Sequence, residues 1–261
     1  MTSPVALEFV RKIRDREPAV GYWIVLDSPV STERIARLGY DYVALDAQHG
    51  LLGYSGILNG LMAIDASAQA VGVVRVEANN ATAIGKALDA GAVAVIVPLV
   101  NNAQDAADAV NAAKYPPHGI RSYGPMRSAL RVGPKPGEAD AATMVFAMIE
   151  TPGGLENVEE IAAVPGLDGL YVGPSDLALA IGAAFPGDPA IADEFEAALV
   201  RVAEAAKNAG IAAGIHNASG ELAQGRLAQG YTFATVASDL THLEATASAH
   251  LKDALASIPA H

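Results

Sequence analysis

Cysteine is absent from the 261-residue chain, which excludes disulfides, thiolate metal sites and a cysteine nucleophile. Aromatic residues make up only 5% of it, with a single tryptophan. A core must therefore be built from Ala, Val, Leu and Ile, which suits strands buried on both faces with small-residue helices packed against them. Basic charge is also short. At a net charge of -12 the surface repels phosphate backbones and anionic lipid, which argues against nucleic-acid and membrane partners. The longest near-continuous apolar segment, Ala92 to Val100, falls far short of a bilayer span. The amino-terminal stretch MTSPVALEFVRKIRDRE is charged and helix-like where a secretory signal needs an apolar core. The expectation is a soluble, cytoplasmic protein.

What is present is a repeated alternation of strand-like and helix-like segments. Strands are expected at Gly21 to Leu26, Tyr42 to Leu45, Gly72 to Val76, Ala92 to Val97, Thr143 to Ile149, Gly169 to Val172, Ile211 to Gly214 and Tyr231 to Val236. Helices are expected at Ser31 to Leu38, Tyr54 to Ala68, Asn80 to Asp89, Ala103 to Lys114, Gly154 to Ala163, Ser175 to Ile181, Ser219 to Ala228 and Leu240 to Ile258. A further helix, Ala190 to Ala209, precedes the seventh strand. Strict alternation gives a parallel sheet with right-handed crossovers, and eight units in roughly 250 residues is the size of a closed (β/α)8 TIM barrel. An open doubly wound sheet would carry a Gly-rich phosphate turn after its first strand, where this chain reads LDSPVST. No linker divides residues 1–261, so one domain is expected. The Pro- and Gly-rich stretch Tyr115 to Gly137, with Arg121, Arg127 and Arg131, reads as irregular. It begins at the amino-terminal rim, from where a part in chemistry is more easily played across a subunit interface.

Barrel chemistry sits at the carboxyl ends of strands. The fifth strand ends at Glu150, and the sixth is followed by the turn Gly173-Pro174-Ser175-Asp176. Two carboxylates at matched strand ends suit a hard divalent cation with positions left for water and substrate; alternatively Glu150 starts one helix and Asp176 caps another. The second strand ends LDAQHG, where His49 beside Asp46 has the makings of a general base. Arg75 ends an apolar strand and needs an anion, either a structural carboxylate or a substrate oxygen gathering negative charge; the scarcity of acids at that rim favours the substrate. Trp23 is equally a substrate contact or a barrel aromatic. His216 and Asn217 either line the pocket or cap the next helix, and Asp239 reads as an N-cap.

Lysine is missing where an imine mechanism needs it. Lys12, Lys86, Lys114, Lys135, Lys207 and Lys252 all fall on expected helices or connectors, which disfavours a Schiff base. The turns after the seventh and eighth strands also lack a Gly-rich phosphate cradle. A divalent metal, an arginine and a histidine remain, a set suited to stabilising and protonating an enolate.

From about Gly21 onward the chain resembles the HpcH/HpaI aldolases, metal-dependent pyruvate aldolases of the phosphoenolpyruvate/pyruvate barrel superfamily. The resemblance is carried by ETPGGLENVEEI, LDGLYVGPSDLALAIG, the DxxH box at Asp46 to His49, VVR at Arg75 and LDAGA from Leu88. It implies a magnesium, manganese or cobalt ion held by Glu150 and Asp176, with no organic cofactor, and a substrate carboxylate seated by Gly173, Ser175 and Asp176. It further implies that Arg75 stabilises the enolate and that His49 acts as base through a water. Asp89 of a neighbouring subunit would pair with that histidine, and Trp23 would line the pocket. A homo-oligomer follows, a hexamer built as a trimer of dimers, with the carboxyl-terminal helix exchanged between subunits. Two departures stand out. Gln48 replaces a glutamate common before the base histidine, and Met148 replaces a glutamine whose amide reaches substrate. The implied activity is reversible cleavage of a 4-hydroxy-2-oxo acid to pyruvate, or hydroxypyruvate, and an aldehyde. A CoA-thioester lyase of the citrate lyase beta or malyl-CoA type is the nearest alternative, and a non-catalytic barrel the more distant one.

Overall fold

A computed structural model describes residues 3–133 and 135–256. Eight parallel strands close into a barrel in sequential order. They are β1 (Ala19–Ile24), β2 (Tyr42–Asp46), β3 (Val71–Arg75), β4 (Ala94–Val97), β5 (Met144–Ile149), β6 (Gly169–Val172), β7 (Ala212–Asn217) and β8 (Phe233–Ser238). All but one of the expected helices appear in place. The expected Gly154 to Ala163 helix is two short ones, Pro152–Glu156 and Val158–Ala162, because Asn157 departs from helical geometry between them. The expected end of the last helix at Ile258 lies outside the described residues, and the helix is described over Asp239–Leu255.

Strand side chains alternate between the inside of the barrel and the helices around it. Val43, Leu45, Val74, Val95, Ile149 and Leu170 face outward and bury the apolar stripes of the helices. The inside is filled by Tyr42, Phe146, Tyr171 and Phe233. These aromatics fit because their neighbours are small: a β-carbon on Gly21 would collide with the Tyr42 ring. The hydroxyls of Tyr42 and Tyr171 each lie 2.7 Å from Thr235 Oγ1, so the polar atoms of this layer are satisfied and the barrel floor is closed.

Three expectations need correction. β8 runs from Phe233 through Ser238 rather than from Tyr231 to Val236. Tyr231 is buried, but its hydroxyl donates to the Leu199 carbonyl in the surrounding helix layer. At the other end Ala237 adopts a left-handed φ of 47°, and β1 steps from Tyr22↔Val236 to Trp23↔Ser238 across this bulge. Such a bulge re-aims side chains at a barrel rim. Second, the supposedly irregular 115–137 stretch ends in a helix, Pro136–Ala142, begun by a proline at its first position. Its arginines are tied down: Arg121 to Asp89, and Arg127 and Arg131 to Asp65. Third, Asp239 is not an N-cap. Ser238 caps that helix through Thr241 N, while the Asp239 carboxylate accepts from Val25 N and Leu26 N and secures the loop after β1.

Candidate active site

Every second residue of a strand points into the barrel, so Trp23, Asp46, Arg75, Met148 and His216 arrive above the aromatic floor at the carboxyl rim by strand alternation alone. Trp23, His49, Arg75, Met148, Tyr171, Ser175, Asp176 and His216 line a cavity of about 190 Å³ there. A larger cleft of about 510 Å³ opens beside it, sharing Pro174, Ser175 and His216. Of its charged groups, Glu196 and Arg226 are paired with each other at 2.6 Å, and Asp188 accepts from the backbone amides of Ala184 and Ala190, so the smaller cavity is the one with uncommitted reactive groups.

Arg75 meets a protein carboxylate, contrary to the expectation from the scarcity of acids. Its Nε donates to Asp46 Oδ1 at 2.9 Å and its Nη2 to Asp46 Oδ2 at 2.6 Å. Only 7% of Arg75 and 1% of Asp46 is exposed. Asp46 also accepts from the Trp23 indole and from the backbone amides of Gln48 and His49. Burial alone would push this carboxyl up, yet the Arg75 guanidinium, with the His49 amide and the indole, holds it below its usual value. Asp46 is therefore an orienting anion with its acceptor sites filled, not a proton acceptor. Arg75 lies 5.0 Å from the Trp23 ring centroid. Its Nη1 hydrogen-bonds to no described residue, which leaves one edge of a fixed cation for a ligand oxygen.

Glu150 does not start a helix. Thr151 does, accepting from Gly154 N through its hydroxyl, and Glu150 is left at the strand end, 3% exposed. Oε1 accepts the Leu99 amide at 2.9 Å, while Oε2 is buried without a partner. Burial raises the Glu150 pKa, and the nearby charge of Asp176 adds to that effect. Asp176 is not a cap either: Gly173 occupies the N-cap position and Asp176 sits in the first turn of the Pro174–Ala180 helix. A β-carbon on Gly173 would stand 2.5 Å from Glu150 Oε2 and 2.6 Å from Met148 Cε, so any larger residue in this turn would have to push the ends of those two side chains out of place. Among the described residues no three His, Asp or Glu form a closed ligand set. An orphaned buried carboxylate oxygen beside a second carboxylate fits a hard divalent cation completed by water and substrate oxygens.

His49 is exposed at the cavity mouth, and its imidazole hydrogen-bonds to no described residue. Gln48 Oε1, next to it, is buried and unpartnered. Asp89 is not brought to His49; it holds Arg121 at 2.6 Å within the 115–137 segment. His216 packs edge-on to Trp23 at 5.2 Å, and burial, followed by the charge of Arg75, pushes its pKa down to about 4. The six lysines lie on helices or at helix ends.

Two contributors escaped the sequence reading. Tyr171 walls the cavity but reads as an ordinary strand aromatic. The Leu99 amide holds Glu150 from the end of β4, where the sequence has no charge. Leu99 carries a left-handed φ of 57°, uncommon for a bulky side chain, and no residue pattern announces a backbone donor.

The chain matches the family described as HpcH/HpaI aldolase/citrate lyase across residues 19–245. It is 40% identical over 240 residues to a hydroxypyruvate/pyruvate aldolase of Rhizorhabdus wittichii, covering 92% of this chain and 95% of that protein. It is 36% identical over 246 residues to a 4-hydroxy-2-oxovalerate aldolase of Rhodococcus jostii, covering 93% of each. Among solved structures, an HpcH/HpaI aldolase/citrate lyase family protein from Burkholderia cenocepacia superposes with a TM-score of 0.86 at 32% identity, over 95% of this chain and 98% of that one.

Proposed function

The chain belongs to the HpcH/HpaI aldolase/citrate lyase family, and from that premise we propose a class II aldolase that reversibly cleaves 4-hydroxy-2-oxo acids to pyruvate, or hydroxypyruvate, and an aldehyde. The observation that carries this reading is the buried, unpartnered Glu150 Oε2, set beside Asp176 on the rim that bears Arg75. Glu150 and Asp176 would hold magnesium, manganese or cobalt. When bound, such an ion supplies Lewis acidity at the keto group.

The remaining steps belong to the chain's own residues. His49 takes the proton of the 4-hydroxyl; the C3–C4 bond breaks as the aldehyde carbonyl forms, and its electron pair passes into the C2–C3 enolate. The Nη1 edge of Arg75 faces the oxygen that gathers this charge. Asp46 fixes that edge beforehand, so no reorganisation is needed at the moment of reaction. The proton then returns to C3. The Ser175 and Asp176 amides precede the first helical bond, donated by Leu177 N to Gly173 O, and suit the substrate carboxylate. Trp23, Tyr171 and Met148 form an apolar wall that excludes water.

The complete site is read as shared between subunits of a cytoplasmic homo-oligomer, a hexamer formed as a trimer of dimers. The Asp239–Leu255 helix has no buried residue, and Leu243, Leu251 and Leu255 are exposed along it, which supports its exchange onto a neighbour. Asp89 shares a surface depression with exposed Ile120, where a neighbour's His49 would meet it. A CoA-thioester lyase needs cations for the nucleotide phosphates, and Arg226 of the larger cleft is already paired with Glu196. A non-catalytic barrel gives no reason to bury Glu150 Oε2 unpartnered.

The test is turnover of pyruvate and hydroxypyruvate with a panel of aldehydes, repeated after borohydride treatment in the presence of pyruvate. Turnover should be present and survive the treatment without covalent adduct, since the mechanism contains no imine. A pyruvate-sized mass increase on any lysine overturns it.

A further inference from the structure

The apolar wall of the cavity contains one hydrogen-bonding side chain that is not committed elsewhere. The Trp23 indole donates to Asp46, the Tyr171 hydroxyl is bonded to Thr235, and Met148 has no donor. His216 differs from all three. Neither of its ring nitrogens hydrogen-bonds to a described residue, and Nδ1 is buried without a partner. The imidazole is held by its edge-on packing against Trp23. It also lines both the small cavity and the larger cleft, so it borders the two.

A buried polar group without a partner is costly, and such groups persist where a ligand supplies the missing bond. The substrate's carboxylate and keto oxygens have other partners under the aldolase reading: the Ser175 and Asp176 amides, Arg75, and the ion that Glu150 and Asp176 would hold. A neutral imidazole offers one donor and one acceptor, and the substrate group that matches both is a hydroxyl. We propose that His216 is a specificity-determining residue that hydrogen-bonds a hydroxyl on the substrate's carbon skeleton beyond the 2-oxo acid group, so that the enzyme favours hydroxylated partners over their deoxy counterparts. This rests on the aldolase reading above. The hydroxyl belongs either to C3 of the keto acid, as in hydroxypyruvate, or to C2 of the aldehyde, as in glycolaldehyde.

The test measures kcat/KM for wild type, His216→Leu and His216→Gln in two paired comparisons. One sets hydroxypyruvate against pyruvate with a common aldehyde, and the other sets glycolaldehyde against propanal with a common keto acid. In His216→Leu the preference for the hydroxylated member of one pair should fall about two- to tenfold, the range for one neutral hydrogen bond. His216→Gln, which keeps a donor and an acceptor, should recover part of it. A fall confined to the first pair assigns the hydroxyl to the keto acid, and a fall confined to the second assigns it to the aldehyde. Selectivity unchanged in both pairs overturns the proposal, as does an equal loss for all four substrates, which marks His216 as wall packing. If His216→Leu melts early, His216→Phe, which keeps a ring against Trp23 but no donor or acceptor, takes its place: a fall in the preference within one pair supports the proposal, and unchanged selectivity in both pairs overturns it. Wild-type turnover separates the two levels, since its absence with every pair removes the aldolase reading itself, whereas turnover with unmoved ratios removes only the role of His216.

Discussion

Asp46→Asn is the sharpest perturbation of the site that leaves Glu150 and Asp176 untouched. Asparagine keeps the shape and still offers Oδ1 to the amides of Gln48 and His49, but its NH2 group faces Arg75 Nη2, so that two donors now stand 2.6 Å apart with no acceptor between them. The guanidinium, 7% exposed, loses its counter-charge and cannot reach solvent. Removing one member of a buried pair costs about 3–5 kcal/mol. At about 2–4 °C per kcal/mol for a chain of this size, the melting midpoint should drop by roughly 6–20 °C. Turnover should fall about a hundredfold through loss of the oriented Nη1 edge, while affinity for the divalent ion holds. Replacing both members with apolar residues, Asp46→Leu with Arg75→Met, should recover stability without activity. The pH dependence has a defined sign. The folded Asp46 pKa is depressed, so its stabilisation is present above the ordinary aspartate value and is lost as pH falls through the folded one. Arg75→Met should remove that acid-side loss. Urea denaturation of the single and double variants provides the assay, and an Asp46→Asn protein that melts with the wild type would refute the reasoning.

Glu150→Gln carries the opposite sign. The folded Glu150 pKa is raised, so without metal the protein should lose stability as pH rises above the ordinary glutamate range, and the variant should be spared that decline. Urea midpoints in chelator at about pH 5 and about pH 8 should diverge in favour of the variant at the higher pH, by about 1 kcal/mol; parallel midpoints would return Glu150 to an unstrained structural role. For the shared site, His49→Ala and Asp89→Asn should each be poorly active. Mixed oligomers of the two, confirmed by mass, should regain part of the activity through sites holding wild-type His49 and Asp89 from different subunits, and mixed oligomers as inactive as either parent would remove Asp89 from the mechanism.

The barrel was legible because each strand is an apolar run closed by a polar or glycine-proline turn, and Glu150, Asp176, Arg75 and His49 stand at those closures. Alternation then places the inward residues without further information. What stayed hidden was pairing in space. Asp46 and Arg75 lie in register on adjacent strands, but 29 residues separate them in the chain, so the arginine looked unpartnered. The Leu99 amide and the bulge at Ala237 are backbone features with no side-chain signature. The Pro136–Ala142 helix was obscured by the prolines and glycines before it, although a proline at a first helical turn is itself a start signal. His216 was visible as a residue, but its isolation within an apolar wall needed the neighbouring hydrogen bonds to be known.

The central claim is that Glu150 and Asp176 together hold a divalent cation on which turnover depends. It is tested most directly by calorimetric titration of the chelated protein with manganese, in parallel with aldol turnover. Wild type should bind one ion per chain and regain activity in proportion to occupancy, whereas Glu150→Gln and Asp176→Asn should lose binding and turnover together. Full turnover in the exhaustively chelated enzyme, or unchanged manganese affinity in both variants, would contradict the account.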